Sequence, residues 1–269
     1  MKRRSDRSLQ TLMALPFFYI TAYSAEQQEV VLDEDNSRHA IQVLRMKTGD
    51  PLQLTDGKGT LLTASVLESH KKKCVVKVLS AHTRPQKSQK ISIAISPLKN
   101  ASRFEWFLEK ATEIGVVGII PLICERTERQ HTRQDRLQHI LVSALLQSQQ
   151  TWLPVLWAPT PFSQWLSSAD YTHRLIAHCL EEPRPTEDLA AWRRRQTSAA
   201  AAPDPSPAEL SRAVSPAMST LILIGPEGDF TPAEIASALK EGFVPVTLGE
   251  NRLRTETAGV VAATLLCIG

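Results

Sequence analysis

The sequence predicts an α/β protein in two parts, a small β-barrel followed by a parallel sheet with helices on both faces. Three observations predict it. From Ile91 onward, apolar strand-like runs alternate with helical spacings, the rhythm of βαβ units. The chain closes on two apolar strands, each followed by a glycine-punctuated loop and a helix. Ahead of Ile91, about six short strands gather around one amphipathic helix, as in a small barrel.

Residues 1–12 read as a disordered extension, unless Met13 is the true start. The front domain then spans residues 13–82. Phe17–Ala22 and Glu29–Leu32 are extended. Asn36 to Met46 predicts a short helix with Ala40, Val43 and Leu44 facing inward. Gly49-Asp50 turns into the strand Pro51–Thr55, and Leu61–Leu67 and Cys74–Leu79 alternate or run apolar around a hairpin turn at Lys71–Lys73. Thr83 to Lys90, polar and carrying one proline, reads as a linker.

The second domain covers residues 91–269. Ile91–Ser96, Val116–Ile123, Leu153–Trp157 and His173–His178 are strands, separated by helices over Arg103–Ile114, Arg133–Gln149 and Phe162–Ser167. Thr186–Arg195 is helical, and the Ala/Pro/Ser-rich run near 197–217 has too little apolar content to pack, so it reads as a flexible insertion. Leu221–Ile224 leads into Gly225-Pro226-Glu227-Gly228. Thr231 then caps a helix with Pro232 at its first position, Glu234 in the capping-box place and Gly242 at its end. Val244–Leu248 leads into Gly249, two arginines and an apolar helix over Ala258–Cys267. Both loops leave the carboxyl edge of a parallel sheet, where ligands collect.

Composition narrows the class. No apolar run reaches about 18 residues, so no membrane span is expected. Four cysteines at 74, 124, 179 and 267 lack close pairing or metal-ligand spacing, which fits reduced thiols in a cytoplasmic protein and no metal site. Residues 1–90 hold 15 Lys/Arg against 9 Asp/Glu, and residues 91–269 hold 16 against 19. A basic front part on a mildly acidic body favours an anionic partner such as nucleic acid. No Gly-x-Gly-x-x-Gly follows the first α/β strand and no Walker-type loop exists, which excludes the usual dinucleotide and triphosphate sites.

The Gly225–Gly228 loop and the run Leu248-Gly249-x-x-Arg252-Leu253-Arg254-x-Glu256-Thr257-Ala258 resemble those of the SPOUT methyltransferases. More narrowly, they resemble the 16S ribosomal RNA uracil-N3 methyltransferase (RsmE) family. Supporting matches are His39-x-x-x-Val43-Leu44-Arg45, Lys110–Gly115, Pro121-Leu122 with Glu125-Arg126, and Gln147-Ser148 before Leu153-Pro154. The resemblance implies a trefoil-knotted SPOUT domain behind a PUA-like barrel, a homodimer, and S-adenosylmethionine as cofactor. It implies methylation of N3 of a uridine in 16S rRNA, position 1498 in standard rRNA numbering, during maturation of the small ribosomal subunit.

By the same resemblance the cofactor loops comprise Leu223, Ile224, Gly225, Pro226, Glu227, Gly228, Leu248, Gly249, Arg252, Leu253 and Thr257. RNA contacts fall to Arg38, Arg45 and Lys47 in front and to Arg126, Gln147 and Ser148 behind. Arg254 and Glu227 are the candidate catalytic residues. A guanidinium stays charged and cannot act as a base, so Arg254 suits stabilisation of an anionic uracil oxygen. Glu227 either touches the ligand or braces its loop and the following helix. The base itself stays open. Two rival functions are a knotted ribose 2′-O-methyltransferase and a non-catalytic RNA-binding assembly factor. The Leu-Arg-x-Glu-Thr-Ala run argues against the first and the intact loop glycines against the second.

Overall fold

The computed structural model describes residues 15–128, 132–168, 171–179, 186–200 and 219–268. The extension at residues 1–12 and most of the insertion near 197–217 lie outside them. Contacts divide the chain into two units. One runs to Gln86 and includes Gln149–Trp152, and the other comprises Lys87–Ser148 and Leu153 onward.

The first unit is built on one five-stranded sheet in the order β1-β3-β4-β5-β2, where β1 is Phe17–Tyr19, β2 Glu29–Val31, β3 Pro51–Thr55, β4 Thr60–Glu68 and β5 Val75–Thr83. The pairing is antiparallel except between β1 and β3. Alternation places Leu52, Leu54 and Leu62 in its core with Phe18 and Leu32. Gln149–Trp152 completes this unit. Gly59 donates its amide to the Thr151 carbonyl at 2.8 Å, and the Trp152 indole donates to the Arg84 carbonyl at 2.9 Å.

The helix expected over Asn36 to Met46 takes a different form. Asp33 caps it by accepting from the Asn36 amide at 2.7 Å, but α-helical bonding covers only Glu34–Arg38. A π-helical turn follows over His39–Val43, closed by Leu44 N–H to the His39 carbonyl at 2.9 Å, and the chain leaves through Arg45 at φ 56°. The wider turn rotates the apolar face. Ala40 stays fully buried, while Val43 and Leu44, expected inside, are 66% and 43% exposed.

The second unit carries an eight-stranded, wholly parallel sheet. Its main order is β11-β13-β10-β12-β6-β7-β8, with β9 (Thr160–Pro161) pairing β7 separately. Here β6 is Lys90–Ile95, β7 Gly118–Ile123, β8 Val155–Leu156, β10 His173–Ala177, β11 Glu187–Asp188, β12 Ser219–Ile224 and β13 Val244–Thr247. Helix Leu189–Ala200 begins later than the expected Thr186 and runs into the segment expected to be flexible.

Both faces of this sheet are buried, and alternation sorts its residues. Ile91, Ile93, Ile95, Ile222 and Ile224 join one core with helices Ala101–Ile114, Gln134–Gln147 and Thr255–Cys267. Ala94, Leu221 and Leu223 join the other with helices Phe162–Ser168 and Pro232–Lys240. The last helix lies close against the first core because Gly259 has no side chain. A Cβ there would meet the Phe107 ring at 2.6 Å and Ile95 at 2.8 Å. Thr231 and Glu234 form the expected capping box, with the Thr231 amide donating to Glu234 at 2.9 Å.

Candidate active site

A cavity of about 620 Å³ opens at the carboxyl ends of three adjacent strands, β13, β10 and β12. That volume suits a nucleoside-sized ligand. Its walls come from the chain that follows each of these strands. The chain after β10 contributes His178 and Cys179, the loop after β12 contributes Gly225 to Asp229, and the loop after β13 contributes Leu248, Gly249 and Asn251–Arg254. Arg103, Arg126, Thr255 and Ala258 complete it.

The loop after β12 is held by polar bonds on both sides. Asp229 sits at φ 61°, and its carboxylate accepts from its own neighbour Phe230 N–H at 2.7 Å and from Cys179 N–H at 2.8 Å. The sequence reading assigned Asp229 no role, yet it ties this loop to β10. Glu234 does the same toward β7, accepting the Glu125 amide at 2.8 Å while it closes the capping box. Arg126 donates to the Gly228 carbonyl at 2.5 Å. At Gly225 a Cβ would press on Phe230, ring and amide, at 3.1 Å. Gly249 has open space around it but holds φ 121°, which a side chain rarely adopts.

Charge is arranged unevenly around the cavity. Arg103 pairs with Glu227 at 3.3 Å and with the buried Glu256 at 3.7 Å. The Arg252 and Arg254 side chains are exposed and make no hydrogen bond or ion pair among the described residues. Burial raises the Cys179 thiol, as does the nearby Asp229 carboxylate, with Arg252 opposing them. Burial likewise pushes the Cys124 thiol far up, reinforced by Glu234. Both thiols therefore stay protonated at neutral pH and are poor nucleophiles. His178 is 6% exposed, and neither ring nitrogen has a hydrogen-bond partner among the described residues.

Most of the expected loop residues meet here. Ile224, Gly225, Pro226, Glu227, Gly228, Leu248, Gly249, Arg252, Leu253, Arg254 and Arg126 all line the cavity. Two do not. Leu223 points to the opposite face of β12 from Ile224 and is buried in the other core. Thr257 lies off the helix face that Arg254, Thr255 and Ala258 present to the cavity. Ser148 ends helix Gln134–Gln147, its hydroxyl donating back to the Ala144 carbonyl at 2.7 Å, and Gln147 is exposed beside it. Arg38, Arg45 and Lys47 belong to the first unit and are exposed, with Arg38 paired to Glu34 at 3.0 Å.

Sequence reasoning missed Arg103, Asp229 and Glu256. Arg103 stood at the edge of an amphipathic pattern, and nothing local marks it as the partner of residues more than a hundred positions away. Among the described residues no His, Cys, Asp or Glu cluster could hold a metal ion, and no helix is long and apolar enough to cross a membrane.

Comparison with known proteins bears on this geometry. Residues 85–267 match the family described as RNA methyltransferase domain, and residues 32–79 match the RNA methyltransferase PUA domain. A Synechocystis sp. protein named ribosomal RNA small subunit methyltransferase E is 29% identical over 228 residues, spanning 83% of this chain and 68% of that protein. A crystal structure of a probable rRNA-methyltransferase from Porphyromonas gingivalis is 37% identical, covers 94% of this chain and 98% of its own, and superposes with a TM-score of 0.77. A ribosomal RNA small subunit methyltransferase E from Neisseria gonorrhoeae, solved bound to S-adenosyl methionine, is 27% identical over 93% of this chain and 95% of its own, with a TM-score of 0.74.

Proposed function

This chain belongs to the RNA methyltransferase family with a PUA domain in front, and from that membership we propose that it methylates N3 of a uridine in 16S ribosomal RNA, position 1498 in standard rRNA numbering. It is an RNA methyltransferase of the SPOUT type, and its methyl donor is S-adenosylmethionine. The cavity fits that cofactor in volume, and the glycines at 225, 228 and 249 in its lining leave loop backbone uncovered by a Cβ. The donor supplies a sulfonium-activated methyl group, so the protein needs no stronger electrophile.

What remains for the chain is positioning and charge. The loops after β12 and β13 hold the nucleoside from two sides, and Ile224, Val246 and Leu253 add apolar residues to the lining. Arg254 is the observation that carries the reading. It stands at the N-terminus of helix Thr255–Cys267, on the cavity wall and unpaired among the described residues. There its guanidinium meets the negative charge that spreads onto uracil oxygens as N3 loses its proton. Glu227, already paired with Arg103, acts as a loop brace in this reading.

The first unit takes the role of RNA module. It runs to Gln86 and includes Gln149–Trp152, ahead of a methyltransferase unit that begins at Lys87, later than the expected boundary at 82, and Arg38, Arg45 and Lys47 contact phosphates, joined by Arg126, Gln147 and Ser148. The C-terminal helix packs on β6 and helix Ala101–Ile114, and its threading through a loop as a trefoil knot is part of the proposal. A cytoplasmic homodimer acting on the small subunit completes the proposal. Mass spectrometry of 16S rRNA from a strain lacking this gene tests it. One methyl on one uridine base should disappear and return on complementation, and loss of a ribose methyl instead would overturn the N3 assignment.

A further inference from the structure

We propose that Glu256 is a positioning residue for Arg254, acting through Arg103, and the proposal rests on the role given to Arg254 above. Glu256 occupies the first turn of the C-terminal helix, two residues beyond Arg254, and is 6% exposed. Its Oε1 lies 3.7 Å from the Arg103 Nε, while its Oε2 is sealed from solvent and has no hydrogen-bond partner among the described residues. The same guanidinium reaches the Glu227 carboxylate at 3.3 Å. One side chain on helix Ala101–Ile114 thus links the loop after β12 to the first turn of the C-terminal helix.

As a device for stability alone this arrangement is poor. A carboxylate at a helix N-terminus gains from the dipole while exposed, and burial adds desolvation that a single pair with one orphan oxygen offsets badly. As a device for orientation it is well made. Arg254, Thr255 and Ala258 share the cavity-facing side of the helix, and Glu256 is absent from that wall. Anchoring Glu256 to Arg103 fixes the rotation of the first turn and, with it, the direction in which Arg254 leaves the backbone. The same position rules Glu256 out as the base, since its free oxygen does not open on the cavity.

The test is single-turnover methylation of small ribosomal subunits from a strain lacking the enzyme, with S-adenosylmethionine affinity measured by calorimetry. Glu256→Gln keeps the shape and removes the charge. Its rate should fall by about tenfold, as a small misplacement of a catalytic group does, while cofactor affinity changes little. Arg103→Gln, which also releases Glu227 and alters the cavity wall, should lose at least as much rate, Arg103→Lys should recover part of it, and the double variant should be no slower than the slower single. In an Arg254→Ala background, Glu256→Gln should cost nothing further. An equal loss of rate in that background would overturn the proposal, as would a wild-type rate for Glu256→Gln or a loss confined to melting temperature. A wild-type rate for Arg254→Ala itself would instead sink the reading of Arg254, and this proposal with it.

Discussion

Gly225 and Gly249 are the same residue for different reasons, and their variants should separate. At Gly249 no atom lies within 4 Å, so the need is purely the backbone angle of φ 121°. Gly249→Ala should therefore let this exposed loop relax to another backbone conformation instead of straining the fold, weakening S-adenosylmethionine binding while leaving the melting temperature of the apo protein nearly unchanged. At Gly225 the backbone is ordinary and Phe230 is the obstacle, so Gly225→Val should lower the melting temperature as well as cofactor affinity. Calorimetry and a thermal melt on both variants decide it, and a reversed pattern would refute the distinction. Arg254→Ala should cut the single-turnover rate by about 100-fold, the scale of losing an oxyanion donor. Arg254→Lys should restore only part of it, because an ammonium lacks the planar pair of donors. Parallel loss of stability and cofactor binding would assign Arg254 to the loop instead. Residue by residue, the loops were legible in the sequence because glycine and arginine cluster there. Leu223 and Thr257 were not, since membership of the wall depends on which face a strand or helix turns toward it.

Helix signals read most reliably where they are chemically redundant. Thr231, Pro232, Glu234 and Gly242 all point to one helix, and the structure places each as expected. The box has a second task that its pattern does not show, since Glu234 also accepts the Glu125 amide. Glu234→Ala should therefore cost about 1–2 kcal/mol and also free the segment that carries Arg126, seen as faster hydrogen exchange at residues 124–127. Unchanged exchange there would confine Glu234 to its cap. The π-helical turn over His39–Val43 was illegible for the opposite reason, because extrapolating a 3.6-residue period assumes the helix stays α. The C-terminal helix adds a pH dependence. Burial raises Cys267 to about 11, so the folded state keeps a proton that the unfolded chain releases near pH 9. Stability is then unaffected below about pH 9 and falls between about pH 9 and 11. Cys267→Ala should flatten that part of a melting-temperature profile, and an unaltered slope would place the alkaline loss elsewhere.

On the scale of the molecule, two units imply two responses to cofactor. S-adenosylmethionine at about 100 times its dissociation constant should stabilise the unit that holds the cavity by about 2.7 kcal/mol, raising its melting transition by several degrees. A separate transition of the first unit should stay in place, and a shift of both together would show that they unfold as one. The alternation of strands and helices made a parallel sheet legible, but not its order. Nothing local tells β12 to lie between β6 and β10, because that choice is made by which apolar faces meet.

The first unit also takes its last piece from far down the chain. The Gly59 amide and the Arg84 carbonyl find their partners in Thr151 and Trp152. During synthesis these groups therefore wait, for several seconds at about 5–20 residues per second, while the opening strands and helices of the other unit are made. The amino-terminal unit is thus begun first but cannot be finished first. A gene fragment ending at residue 90 encodes a sheet with an unfilled side, and grafting this unit onto another protein would require carrying the distant Gln149–Trp152 segment with it.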